Sequence, residues 1–330
     1  MVMKHKGQLL CLSLLVVLAS SLIGMGDPAH AQKKYPTRAI DIIVPFGPGA
    51  ATDISTRIMA DFLKRKWHIP VNVINKAGGN GIPACLEVHQ STPDGYTLLA
   101  DNTNSASMVK AVRKDLPYEV MDRTFIGMTS GAYMIIIVPH ASPFKNITDV
   151  VENMKKDPGN FTWSSLGGTG TQDVAALQLF KAVGVDVTKT KPIISSGGAQ
   201  AVTMTAGNNV KMGVGTTGNV LAALDAKTIR LLALTSKTRE KRFPDVPTFA
   251  ELGYPTVDST YWIGVSGPPK LPLEIVNTWT ETLQEMTKDT KYNEQMKNAN
   301  IMVRYVGPSE TRQVILKEVE EMKDLVGTKK

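Results

Sequence analysis

Two glycine-rich segments carry the residue types best suited to chemistry. The first is Pro45-Phe-Gly-Pro-Gly-Ala-Ala-Thr-Asp53, and the second is Ser164-Ser-Leu-Gly-Gly-Thr-Gly-Thr-Gln-Asp173. Each follows a β-rich run and precedes a helical pattern. Such a loop exposes backbone N–H groups, and the helix N-terminus behind it adds a partial positive charge, so the pair suits an anion. Ser165, Thr169 and Thr171 add hydroxyl donors to the second segment. Neither segment is a phosphate loop, because no Gly-Lys-Ser/Thr follows. Gly167-Gly168-Thr169-Gly170 also lacks the dinucleotide spacing. Tight strand-to-helix turns by themselves would equally use these glycines. Asp53 and Asp173 read first as helix caps. The alternative for Asp53 is to receive an amine or hydroxyl from a bound solute.

Catalytic patterns are missing. His68, His89 and His140 are scattered, and no HExxH or GxSxG motif occurs. Cys85 reads as a small buried residue. No cysteine pair at zinc spacing or carboxylate loop at calcium spacing is present. The reading is therefore no catalytic residue, no metal and no cofactor. Lys and Arg total 37 against 30 Asp and Glu, a formal charge of +7. The densest clusters, Lys64-Arg65-Lys66 and Lys237 to Arg242, have no interleaved aromatics, which disfavours nucleic acid and fits a solvated face.

The elements that must position these loops come next. A length of 330 residues with 42% hydrophobic content allows a sizeable core and about two domains. Residues 1–31 stand apart. Lys4 and Lys6 precede an apolar run from Leu9 to Ile23, and Ala29-His30-Ala31 follows, the pattern of a secretory signal peptide cleaved after Ala31. An uncleaved anchor is the alternative, although the run is short for a spanning helix. Cys11 follows Leu10, which argues against lipid attachment. Cleavage leaves Cys85 as the one cysteine and a soluble protein outside the cytoplasm.

Beyond it, strands are expected at Ala39–Val44, Pro70–Asn75, Tyr96–Ala100, Met134–Val138, Phe161–Ser165, Val210–Gly215, Ile229–Thr235 and Trp262–Ser266. Helices are expected at Ile54–Lys66 with Thr52 or Asp53 as cap, and at Ile147–Lys156, Gln172–Val183, Pro272–Lys288, Asn293–Asn298 and Ser309–Leu325. The alternation predicts an α/β fold with largely parallel sheets. Two strand–loop–helix units, near 39–66 and 161–183, predict two similar lobes.

The ordered motifs resemble one family along essentially the whole mature chain. They are Tyr35-Pro-Thr-Arg-Ala-Ile, Val44-Pro-Phe-Gly-Pro-Gly with Thr52-Asp53 and Arg57, Pro93-Asp-Gly-Tyr-Thr-Leu-Leu99, and Leu116-Pro-Tyr118. Further on come Gly168-Thr-Gly-Thr-Gln-Asp173, Ser196-Gly-Gly198, Ile229-Arg-Leu-Leu-Ala-Leu-Thr235, Asp245-Val-Pro-Thr-Phe-Ala-Glu-Leu-Gly253, and Trp262 with Gly264. The sequence resembles the periplasmic substrate-binding proteins of tripartite tricarboxylate transporters, the Bug or TctC-like proteins.

The resemblance implies a two-lobed periplasmic binding protein fold (type II-like). Each lobe would be a sheet flanked by helices, with the ligand in the cleft. Lobe 1 would be residues 32–137 plus 254–330, and lobe 2 residues 138–253. The implied ligand is a small carboxylate passed to the membrane permease subunits of such a transporter by a monomer. A sensor presenting its closed form to a membrane receptor or kinase is the alternative, and a secreted hydrolase a distant third. The implied ligand-binding positions are Phe46, Gly49, Asp53, Asn102 and Thr103 in lobe 1. In lobe 2 they are Ser165, Gly168, Thr169, Gly170 and Thr171, then Gly197, Gly198, Thr216 and Thr217. The sequence departs from the family pattern at Ala50, Thr171, Val174 and Asn208-Asn209-Val210-Lys211. These changes bear on which ligand fits more than on the fold.

Overall fold

The computed structural model describes residues 35–168 and 170–325. The signal-peptide and cleavage expectations, Cys11 and the Thr169 assignment lie outside the described residues. From Arg38 onward the chain belongs to one compact unit.

The chain begins with β1 (Ile40–Val44), α1 (Ala51–Trp67), β2 (Val71–Asn75), α2 (Ile82–Gln90) and β3 (Thr97–Asn102). These strands pair in parallel, β1 between β2 and β3. After a π-turn at Asn104–Met108 and the short α3 (Val109–Val112) comes β4, a long strand over Thr124–Pro139. Then follow α4 (Ile147–Lys156), β5 (Thr162–Ser165), α5 (Thr171–Val183), β6 (Lys191–Ile194), α6 (Gly198–Ala206), β7 (Gly213–Thr216), α7 (Leu221–Asp225) and β8 (Ile229–Leu234). The chain finishes with β9 (Thr260–Gly267), α8 (Leu273–Met286), α9 (Thr290–Asn298), β10 (Met302–Val306) and α10 (Pro308–Leu325).

Strand β4 is the spine. Its first part, to Tyr133, pairs antiparallel with β9, and with β10 on its other edge. From Met134 onward it pairs antiparallel with β7 and β8 instead. One strand therefore serves two sheets, the first running β10-β4-β9-β3-β1-β2. The second is β4 with β7 and β8; β5 and β6 form a separate parallel pair, and Trp163 of β5 bridges to Met212 at the entry to β7. The molecule is two-lobed, each lobe a sheet flanked by helices, as the resemblance implied.

The expectation of largely parallel sheets is wrong for five of the eight strand pairings among the described residues. β4 is antiparallel to all four of its neighbours, and β9 to β3 as well. The reason is that β4 leaves the first lobe and β9 re-enters it, so the two run in opposite senses through the same sheet. Their contact is close: a Cβ on Gly264 would lie 2.3 Å from the Gly127 carbonyl oxygen. Only glycine fits there, and the register shifts at Gly127 and Ser130 bend the strand around it.

Helix α1 also differs from expectation. It starts at Ala51, with Ala50 in the cap position and no side chain capping it. Thr52 and Asp53 thus lie inside the first turn. Leu63, Met59 and Phe62 turn inward, and Trp67 meets Trp279 of α8 edge-on at 4.8 Å. Cys85 is fully buried, as the sequence predicts, and burial raises its thiol pKa.

Candidate functional site

Both glycine loops have the same construction. In the first, the Asp53 carboxylate reaches back from α1 to accept the Gly49 N–H at 3.0 Å. Its other oxygen accepts from the Asn75 amide at 2.9 Å and pairs with Arg57 at 2.9 Å. Burial alone would raise the Asp53 pKa, but Arg57, the Gly49 N–H and Asn75 outweigh it and hold the carboxyl below its usual range. In the second loop, Asp173 accepts the Leu166 N–H at 2.9 Å and the Gly170 N–H at 3.1 Å. Each carboxylate staples the loop preceding its own helix. Asp53 is thus a loop staple and not the N-cap, which is Ala50.

The loop after β3 is fixed by a buried ion pair. Asp101 and Arg123 meet at 3.1 Å with their side chains 1% and 0% exposed. Ser105 and Ser266 each donate to Asp101 at 2.7 Å, and Arg123 also donates to the Ser105 carbonyl at 2.8 Å. The Asn102 side chain accepts from the Asn104 and Ser105 N–H groups, closing the π-turn. Thr103 accepts from the Trp262 N–H at 2.9 Å. Asn102 and Thr103 therefore hold the turn from behind, and Asn104 is the residue brought forward.

Behind that turn sits Glu318 of α10. It accepts from Ser107 and, at 2.9 Å, from the Trp262 indole. Burial pushes its carboxyl up to about 7, although both donors oppose the shift. The sign follows directly. A folded-state value above the ordinary 4.5 means the folded protein holds the proton more tightly than the unfolded chain. The stabilisation is full below about pH 4.5 and is lost as the pH rises through about 7. Glu318→Gln should flatten the fall in unfolding free energy across that window, by about 1–3 kcal/mol. Denaturant titrations at a series of pH values check this, and a slope unchanged from the parent would contradict it.

Across the cleft the two lobes touch. Asn104 Oδ1 accepts from the Thr171 N–H at 2.8 Å and from its hydroxyl at 2.7 Å. Thr52 and Tyr261 share a hydroxyl–hydroxyl bond of 2.7 Å. Around these contacts lies a small cavity. Phe46, Ala50, Ala51, Thr52, Asn104 and Tyr261 form one wall, and Gln172, Gly198, Thr216 and Asn219 the other. Its volume is about 20 Å³, enough for roughly one water. No charged side chain is among the described residues lining it. A dicarboxylate is larger than that space.

Of the expected site residues, the structure places Phe46, Gly198 and Thr216 on the cavity wall and Thr171 on its latch to Asn104. Gly197 approaches Phe46, whose ring carbon lies 3.9 Å from a Cβ built on it. Gly49 and Gly168 have positive φ (81° and 78°) and shape their loops. Ser165 is turned to the Gly167 N–H. The Gly170 N–H is taken by Asp173. Thr217 bonds to Asn300 instead of facing the cavity. Ala50, where the sequence departs from the family pattern, is on the wall, and sequence reasoning did not assign Ala51, Thr52, Asn104, Gln172, Asn219 and Tyr261 to it. Thr52 and Gln172 stood inside the quoted motifs, whereas Tyr261 carried no local signal.

Comparison with known proteins decides the family. The model of the tripartite tricarboxylate transporter family receptor, TctC, matches residues 55–330. The chain belongs to the TctC family. Protein BugT of Bordetella pertussis is 27% identical over 305 residues, 92% of each chain. The periplasmic binding protein BugD superposes with a TM-score of 0.81 at 26% identity, covering 88% of this chain and 97% of BugD. A Rhodopseudomonas palustris protein solved with adipate shares the fold, with a TM-score of 0.84 at 21% identity over 89% of this chain and 98% of that one. TctC proteins are periplasmic substrate-binding receptors, not enzymes.

Proposed function

We propose that this TctC protein captures one small carboxylate between its lobes and delivers it to the membrane permease of a tripartite tricarboxylate transporter. It acts as a monomer in the periplasm after export and cleavage behind Ala31. The observation that carries the reading is the cleft itself. Its walls come from both lobes and offer amides and hydroxyls without a buried cation. Hydrogen bonds involving an ionised group contribute about 1.5–3 kcal/mol each, so several neutral donors suffice for a carboxylate. Closure then locks the ligand through contacts such as Asn104 to Thr171, and the closed form is what a permease recognises.

A thermal-shift screen of mono-, di- and tricarboxylates, followed by calorimetry, tests the reading. A ligand at 100 times its Kd stabilises the folded state by about 2.7 kcal/mol. The expected result is one ligand per chain, recovered chemically unchanged. Catalytic conversion by the pure protein, lost on mutating a wall residue, overturns it.

The basic cluster on α1 provides a control. Arg65 pairs with Asp289 at 2.9 Å and Lys66 with Glu285, so these cations serve the surface between α1 and its neighbours. Replacing Lys64, Arg65 and Lys66 with Gln should leave affinity within about twofold at physiological salt, because exposed charges beyond a Debye length are screened. A loss of tenfold or more in calorimetry would place the anion site elsewhere.

A further inference from the structure

Among the described residues lining the cleft, the Gln172 carboxamide is the unmatched polar group. The residue is 5% exposed, its Oε1 is buried without a partner, and it lies on the cavity wall. Its Nε2 stands 2.7 Å from the point a Cβ on Gly198 would occupy, beside the Asn219 Nδ2 at 2.6 Å from the same point. The other acceptors around the cavity are already used. Asn104 Oδ1 takes both Thr171 donors, Asn219 Oδ1 takes the Thr216 N–H at 2.8 Å, and Thr52 and Tyr261 bond each other. What remains is a set of amide N–H donors and one amide oxygen.

A bare carboxylate satisfies the donors and gives nothing to that oxygen. A buried acceptor left unpaired costs free energy. Turning the carboxamide by half a rotation exchanges its two ends, and the need for an incoming donor stands. A cationic donor is disfavoured, because the two nearby carboxylates, Asp53 and Asp173, are engaged by backbone amides behind their loops.

Building on the carboxylate-binding reading above, we infer that the ligand of this cleft is a hydroxylated carboxylate whose hydroxyl donates to the Gln172 amide oxygen. Gln172 is then the residue that selects it over the same acid lacking the hydroxyl. A site built to pair a hydroxyl rejects the analogue without one, since the site's own polar group is then stranded.

The test uses pairs of acids differing by one hydroxyl: malate with succinate, citrate with tricarballylate, and lactate with propionate. Calorimetry on the full mature chain measures each. In the pair that binds best, the hydroxylated acid should bind at least about tenfold tighter. Gln172→Met keeps the side-chain length and removes the acceptor. In that variant the ratio should fall to within about threefold, with the hydroxylated acid carrying the loss and the unfolding midpoint unchanged. Equal affinities within the best pair in the wild type would overturn the hydroxyl inference and leave the carboxylate reading standing. A ratio that survives Gln172→Met would overturn the assignment to Gln172. If no acid of either kind binds, the carboxylate reading itself fails and the inference with it.

Discussion

Gly198→Val should abolish most solute binding while the protein stays folded. A Cβ at Gly198 would sit 2.6 Å from Asn219 Nδ2 and 2.7 Å from Gln172 Nε2. Both atoms end flexible side chains, so the collision is relieved by swinging the amides and not by unfolding. The relief costs the site twice, because the amides lose their aim and the added methyls occupy the cavity. The expected loss is at least about 100-fold, or ~2.7 kcal/mol, with Gly198→Ala losing about tenfold. Gly170→Leu acts differently. Its Cβ would lie 2.0 Å from Leu166 Cδ1 and 2.9 Å from Leu166 Cβ. It should remodel the loop and lower stability along with affinity, instead of blocking the ligand directly. Calorimetry paired with thermal unfolding separates the two. Gly198→Val binding like wild type would remove this wall from the site.

Arg123→Met should be the most destabilising single change at the site's foundation. It strands the Asp101 carboxylate, which is 1% exposed and keeps bonds from Ser105, Ser266 and the Asn102 N–H. Removing one partner of a buried pair costs about 3–5 kcal/mol. The ion pair also anchors the π-turn that presents Asn104, so affinity should drop in the fraction that remains folded. Adding Asp101→Asn removes the stranded charge and should recover part of the loss. Denaturant unfolding of the single and double variants checks the sign. A double variant less stable than Arg123→Met alone would show that the Asp101 charge is not the source of the penalty.

The sequence was most informative where chemistry is local. Both strand–loop–helix units stand where the β-rich runs, glycines and apolar stripes put them, and Phe46, Gly198 and Thr216 reach the cavity. Helix α1 began early because Ala51 enters the helix without a capping side chain, leaving no signal to read. β4 was read as Met134–Val138, because Gly127, Ser130 and Gly131 interrupt the apolar pattern of its first half. Gly131 lets β9 approach, since a Cβ there would lie 2.8 Å from the Tyr261 carbonyl oxygen, and Gly127 lets β10 approach, 2.7 Å from the Val306 carbonyl oxygen. Strand sense was misjudged because it depends on partners far along the chain: Met134 lies opposite Thr216, and Thr124 opposite Gly267. The cleft suffered likewise. Thr52 and Tyr261 meet although 209 residues separate them, and nothing near either residue announces the other. Asn102 and Asn104 exchange roles because the π-turn rotates Asn104 toward the cleft while the Asn102 side chain closes the turn.

The most direct test of the central claim is a crystal structure of the mature protein with its tightest-binding carboxylate. The account predicts the carboxylate between the lobes, within hydrogen-bonding distance of Asn219 Nδ2 or Gln172 Nε2, with no Lys or Arg side chain touching it. A ligand seated instead in the surface groove lined by His140, Arg230, Arg242 and Phe243, held by those guanidinium groups, would contradict it.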